Sequence, residues 1–153
     1  MQARIKNVAL ANPEIMKPLM ALNTAARSGL PPVTVDLVHL RASLINGCSV
    51  CVEMHAADLK KKGESDERIF TVGAWRDAPY FNDAERAALA LTEAVTRIAD
   101  SQDPVPDVVW NEAAKHYDEK ALAALVTQIA LINVWNRLNC ATRQVAGQWK
   151  AAA

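Results

Sequence analysis

The sequence predicts an all-α fold, a single helical domain over residues 1–153, and three observations predict it. Apolar residues recur at helical spacing along most of the chain, and β-branched alternation is nearly absent. The 7 prolines and 5 glycines fall mainly between the apolar-periodic segments, where they punctuate helices rather than interrupt them. No internal repeat, low-complexity tract or linker divides the chain.

Each helix can be justified in order. Asn12-Pro13-Glu14 supplies an N-cap, a proline at the first helical position and an early acid, opening a helix that should run to about Arg27 before Gly29. Leu30-Pro31-Pro32 connects it to a second helix, with Thr34 as the expected cap and Val35, Leu37, Val38, Leu40 and Leu44 along it. Asn46-Gly47 stops that helix, and a third follows at once and runs to Gly63. Lys60-Lys61-Lys62 then forms its C-terminal turn, where cations complement the helix dipole. A shorter helical piece covers 66–74, and Arg76-Asp77-Ala78-Pro79-Tyr80 is irregular. Asn82 and Glu85 make a capping box for an amphipathic helix to about residue 99. Asp103-Pro104-Val105-Pro106 precedes a helix from Asp107 to about His116, and Asp118 opens the last and longest one. Its apolar stripe of Leu122, Leu125, Val126, Ile129 and Ile132 is followed by Asn133, Asn136 and Arg137, read as architectural groups that pair with helix ends.

Composition narrows the function classes. Lys plus Arg and Asp plus Glu each number 17, which removes the electrostatic argument for nucleic acid or an anionic membrane as partner. The first residues lack the apolar stretch of a secretory signal, and no uninterrupted apolar run approaches the ~20 residues that span a bilayer. The expected location is therefore cytoplasmic. Three cysteines do not make a disulfide framework for a domain of this size, and a close pair in a reducing compartment points to redox or metal chemistry.

That pair is the chemical centre of the sequence. In Cys48-Ser-Val-Cys-Val-Glu-Met-His55, at ~100° per residue, Cys48, Cys51 and His55 fall within about 60° of one another on a helix. The preceding Asn46-Gly47 puts both thiols in the first turn, where free N–H groups and the helix dipole stabilise thiolate. If the chain reverses at Gly47, Asp36 can approach His55 from the neighbouring helix, making Asp36, His55 and Cys51 a candidate proton relay. The plainer role for Asp36 is a first-turn acid, and for His55 a hydrogen-bonded core imidazole. His39, three residues from Asp36, reads as structural or rim; His116 as a helix-end or surface group; Cys140 as a small buried apolar residue. Zinc on Cys48, Cys51 and His55, with Asp36 or His39 fourth, is a rival, but there is no second CxxC and the expectation is no bound metal or cofactor.

The run Asp36-Leu-Val-His-Leu-Arg-Ala-Ser-Leu-Ile-Asn-Gly-Cys-Ser-Val-Cys-Val-Glu-Met-His55 resembles the alkylhydroperoxidase AhpD-like proteins of the carboxymuconolactone decarboxylase superfamily. The similarity continues through Val72-Gly-Ala-Trp-Arg-Asp-Ala-Pro79, Glu85–Thr96 and Ile132-Asn-Val-Trp-Asn-Arg137. It implies an all-helical homo-oligomer, commonly a trimer or hexamer, with thiol-dependent peroxidase activity toward hydrogen peroxide or organic hydroperoxides and an external dithiol as reductant. Carried over by position, the resemblance makes Cys51 the thiol that attacks peroxide, Cys48 the resolving thiol, and Asp36 with His55 the relay. Helix-dipole reasoning alone would favour Cys48 as the more acidic thiol. The relay acid is usually glutamate in such proteins, and Asp36 is one methylene shorter, so its contact with His55 calls for a water. Two other function classes fit the same residues: a redox sensor whose disulfide alters assembly, and decarboxylase-like chemistry in the same pocket.

Overall fold

The computed structural model describes residues 2–148, and the regular elements among them are helical. In chain order they are α1 (Val8–Ala11), α2 (Pro13–Ala25), α3 (Pro32–Asn46), α4 (Ser49–Lys61), α5 (Asp66–Phe70), α6 (Asp83–Thr96), α7 (Asp107–Ala114) and α8 (Glu119–Ala141). A 3₁₀ turn, Thr71–Ala74, extends α5, and another, Ile98–Asp100, follows α6.

Most boundaries follow from local capping chemistry. The Asn12 side chain accepts from the Ile15 N–H with Pro13 at the first helical position, and Asp118 accepts from Ala121. Asn82 and Glu85 satisfy each other's backbone donors as a complete capping box. Gly47 ends α3 in the left-handed region at φ 67°, a conformation that costs glycine nothing, and this reversal lets α4 fold back along α3. Thr34 does not cap α3. Pro31 occupies the N-cap and Pro32 the first helical position, so the helix begins three residues earlier and Thr34 is buried inside it.

Helix α3 is the axis of the molecule, packed by α4, α6 and α8. Two apolar clusters meet on it. Val35 and Val38 join Leu30, Ala88, Leu91, Leu125 and Ile129, while Leu37 and Leu40 join Leu59, Val72, Trp75, Phe81 and Leu89. A helix that is covered on several sides has no need of a strong amphipathic stripe, and residues 34–40 are all buried. Its remaining face carries Asp36, His39, Ser43 and Asn46, at spacings of three or four residues. That polar stripe is what the fold directs at the candidate site.

Helix α8 forms the other wall. The sequence held no uninterrupted apolar run of spanning length, yet α8 as a helix is long and apolar enough to cross a membrane, and half of its most apolar stretch is packed inside the protein. Its polar residues bind the end of α3, as anticipated for Asn133 and Asn136. Asn46 Nδ2 donates to Asn133 Oδ1 (3.0 Å) and Asn136 Oδ1 (2.8 Å). Asn136 in turn donates to Ser43 Oγ at 3.0 Å, and Asn133 to Thr96 Oγ1 at 3.1 Å. Each group is buried or partly so and is hydrogen-bonded, so the network fixes the α3 terminus against α8 and with it the turn that launches α4. Arg137 bonds back to the Asn133 carbonyl at 3.1 Å.

Candidate functional site

Cys48 is the N-cap of α4 and Cys51 lies in its first turn, and the two are joined as a disulfide. The Asn46-Gly47 break thus places both sulfurs at the positive end of a helix. Cys51 is fully buried and Cys48 nearly so. Asn139 of α8 donates from Nδ2 to Cys51 Sγ at 3.3 Å, a contact that would strengthen with a thiolate acceptor. A shallow cavity of about 380 Å³ opens on the other sulfur, lined by Gly47, Cys48, Ser49, Asn139, Cys140 and Arg143 among others. The outside of the molecule therefore meets Cys48 first, while Cys51 faces inward.

His55 is one helical turn beyond Cys51 and is 5% exposed. Neither of its ring nitrogens has a protein hydrogen bond among the described residues. Burial pushes its pKa from the ordinary 6.5 down to about 4, reinforced by the Arg27 and Lys62 charges and opposed by Asp58, so the ring is neutral near pH 7. Asp36 comes from α3 on the reversed strand of the helix pair. It is not a first-turn acid, because α3 starts at Pro32; its carboxylate is buried, ion-paired with Lys62 and 3.9 Å from Arg27. Burial raises the Asp36 pKa against the lowering effect of Lys62 and Arg27. Asp36, His39 and His55 each offer a ligand atom within 4.8 Å of the others, yet Asp36 and His55 make no direct hydrogen bond.

His39 is not at a rim. It is 2% exposed and meets His55 edge to face, ring centroids 4.8 Å apart. Its Nε2 is 2.9 Å from Gln128 Oε1, and burial, then the neighbouring His55, pull its pKa well below the usual range. Cys140 is likewise displaced from expectation: it is exposed at the cavity, with its Sγ 3.9 Å from the Asn46 carbonyl. His116 follows α7, 3.6 Å from Glu112, remote in role from the disulfide.

Among the described residues the structure shows two groupings on the α3–α4 pair: the Cys48–Cys51 disulfide with Asn139 on Cys51, and Asp36 with His39 and His55, where Gln128 meets His39 and Lys62 and Arg27 meet Asp36. Asn139, Gln128, Lys62 and Arg27 are site residues that the sequence reading left out. Asn139 had a visible signal: it extends Asn133 and Asn136 at three-residue steps along α8. The thiols and His55 do not form a common metal set here, since both sulfurs are taken by the disulfide; the candidate ligand cluster is Asp36, His39 and His55.

The family model described as Carboxymuconolactone decarboxylase family matches residues 13–94, which include the α3–α4 pair and most of α6. The uncharacterized protein YdfG of Bacillus subtilis is 36% identical over 142 residues, covering 92% of this chain and 95% of YdfG. An alkyl hydroperoxide reductase AhpD of Hyphomonas neptunium is 35% identical over 78 residues, 49% of this chain and 43% of its own. Among solved structures, ATU0492 of Agrobacterium tumefaciens, a protein of unknown function and candidate antioxidant-defence AhpD, superimposes with TM-score 0.89 at 35% identity, covering 97% of this chain and all of that one. A family match over more than half the sequence, a relative aligned over nearly all of it and the shared fold with its CxxC helix make this chain an AhpD-like member of the Carboxymuconolactone decarboxylase family.

Proposed function

We propose that the protein is a cytoplasmic thiol-dependent peroxidase acting on hydrogen peroxide or organic hydroperoxides. The observation that carries this reading is the Cys48–Cys51 disulfide at the start of α4 with a neutral His55 one turn on and a buried Asp36 beside it. In the reduced protein, neutral His55 accepts the Cys51 proton, directly or through water, and Asp36 stabilises the resulting imidazolium. The Cys51 thiolate attacks one peroxide oxygen, the O–O bond breaks, and the departing alkoxide or hydroxide takes the proton back from His55. Cys51 is then a sulfenic acid. The Cys48 sulfur displaces its hydroxyl, released as water, and forms the disulfide. An external dithiol returns two electrons, one disulfide being exchanged for another.

The cavity is lined by Cys48 and not by Cys51, which supports the reductive half of this division of labour. A reductant entering the cavity reaches Cys48, and Cys51 leaves as a thiolate that the helix terminus and the Asn139 N–H stabilise. No nucleic acid, membrane or resident cofactor enters the scheme. Assembly as a homo-oligomer of the trimer or hexamer kind belongs to the same proposal, and Ile15 and Leu22, seven residues apart on one face of α2, are exposed apolar residues that it would cover.

The test is steady-state peroxide consumption by metal-free protein with a dithiol, comparing wild type with Cys51→Ser and Cys48→Ser. The expected result is turnover abolished by Cys51→Ser, with a trappable sulfenate in Cys48→Ser. Wild type that forms its disulfide but consumes no more peroxide than the double variant would overturn the reading in favour of a redox sensor. Activity that survives loss of both thiols would assign non-redox chemistry to the pocket.

A further inference from the structure

We propose that Asp36, His39 and His55 form a binding site for one divalent transition-metal cation of the zinc class, filled while Cys48 and Cys51 are joined as the disulfide. The site does not use the thiols. Asp36 and His39 stand three residues apart on the polar stripe of α3, and α4 presents His55 to them, so that all three ligand atoms lie within 4.8 Å of one another. A zinc ion with bonds of about 2.0–2.2 Å holds its ligand atoms roughly 3–4 Å apart. Binding therefore requires the three ligand atoms to draw together by roughly 1 Å.

The hydrogen-bond pattern around His39 identifies its ligand atom. Gln128 is fully buried, and its Nε2 donates to the Asn23 carbonyl at 2.9 Å, which turns its Oε1 toward His39 Nε2. An oxygen there obliges Nε2 to carry the proton. Nδ1 is then a bare lone pair, buried and without a protein partner among the described residues. This is the arrangement by which an outer carbonyl orients a metal-ligating imidazole. His55 offers two further unpartnered nitrogens, both buried.

Asp36 completes the set with one oxygen on Lys62 and the other 3.9 Å from Arg27. Those cations oppose a dication, but the Lys62 and Arg27 side chains are 33% and 39% exposed and can withdraw to water. Two imidazoles and one carboxylate suit zinc, cobalt or iron(II) and not magnesium or calcium, which require mostly oxygen. Three protein ligands leave a position open to solvent or a small molecule. On the peroxidase reading, a cation here would also stop turnover by holding both relay groups; that consequence depends on the reading, whereas binding does not.

Cobalt(II) titrated into the oxidised full-length protein, carrying Cys140→Ser to remove the free thiol, provides the test. The expected result is one cobalt per chain with visible ligand-field bands and no sulfur-to-cobalt charge-transfer band, displaced by zinc and not by excess magnesium. His39→Phe and His55→Phe should each abolish it, Gln128→Leu should weaken it roughly tenfold, and Lys62→Met should tighten it by up to about fivefold. A gain of affinity in Lys62→Met cannot come from misfolding. Long-range proton–nitrogen spectra of the metal-free protein should show His39 protonated on Nε2, with Nδ1 shifting as zinc is added. No binding by wild type, binding that survives His39→Phe, a thiolate charge-transfer band, or no shift at His39 Nδ1 would each overturn the site, whatever the peroxidase assay shows.

Discussion

Two polar clusters touch different faces of α3 and are built to opposite rules. On one, Glu93 receives Trp75 Nε1 at 2.7 Å and Arg41 Nε at 2.9 Å, with Arg76 on its second oxygen, while Arg86 donates to the carbonyls of Phe81, Trp75 and Arg76. Trp75 is buried and Glu93 partly so, and each is paired. On the other face, His39 and His55 are both buried but leave three ring nitrogens without protein partners among the described residues. A satisfied network stabilises; an unsatisfied one costs free energy and persists where those atoms are used. The Val72-Gly-Ala-Trp-Arg-Asp-Ala-Pro79 segment is thus accounted for by packing, whereas the Asp36–His55 segment carries the unpaired groups on which the proposed chemistry rests.

The contrast predicts a crossed pattern. His55→Ala should lower kcat/KM for peroxide by about 10²–10⁴-fold, the usual contribution of a positioned base, while melting within a few degrees of wild type. Glu93→Ala should do the reverse. Removing one partner of a partly buried charge network costs about 3 kcal/mol, a fall in Tm of roughly 6–12 °C, with kcat/KM of the folded protein within about twofold of wild type. Thermal melts and steady-state rates on both variants decide it, and a Glu93→Ala protein that melts normally but has lost its activity would collapse the distinction.

A smaller effect separates the clusters by pH. The unfolded His55 imidazole takes up a proton near its ordinary value of 6.5, whereas the folded one refuses it until about pH 4. Stability is therefore complete above about pH 6.5 and declines as pH falls toward 4, by up to about 3 kcal/mol for this residue, and His39 acts in the same direction. Glu93 contributes over a lower range. Burial raises its pKa, but the bonds from Trp75 and Arg76 and the Arg41 charge hold it below the ordinary 4.5, so its stabilisation is present above that value and lost as pH falls through the lower one. Denaturant titrations between pH 7 and 4 should show His55→Gln flattening the upper part of the decline and leaving the acid limb in place. An unchanged slope in that variant would mean that folded His55 takes up its proton over the same pH range as the unfolded chain.

What the sequence could and could not disclose divides along the same physical line. Helix boundaries at Asn12, Gly47, Asn82 and Asp118 were legible because each is decided by a residue's interaction with its own backbone neighbours. Cys48, Cys51 and His55 were legible from periodicity, and Asp36 from one chain reversal. Gln128 and Asn139 were not. They reach His39 and Cys51 across 89 and 88 positions, and their contacts depend on the rotational phase of α8 against α3 and α4, which periodicity does not fix. The same phase explains Cys140: Asn139 turns toward the disulfide, and its neighbour is left at the cavity mouth in place of the core. Thr34 failed as a cap for a local reason, since the proline pair ahead of it had already set the helical φ.

Asn139 is where the smallest and most diagnostic effect should appear. Its amide donates to Cys51 Sγ, and α8 is otherwise held to the α3 end by Asn133 and Asn136, so Asn139→Ala removes one donor without releasing the helix. A hydrogen bond to a charged acceptor contributes about 1.5–3 kcal/mol, less to a neutral sulfur. The difference falls on the thiolate: the Cys51 pKa should rise by about one unit, and peroxide attack near pH 7 should slow by up to about tenfold. Rates of resolution by Cys48 should change little, because there Cys51 is the sulfur attacked and carries no charge. Thiolate absorbance against pH in Cys48→Ser, with and without Asn139→Ala, measures the shift. If the Cys51 titration is unmoved while the rate falls, Asn139 positions the peroxide and not the thiolate; if neither moves, the inward sulfur draws its reactivity from the helix terminus and His55 alone.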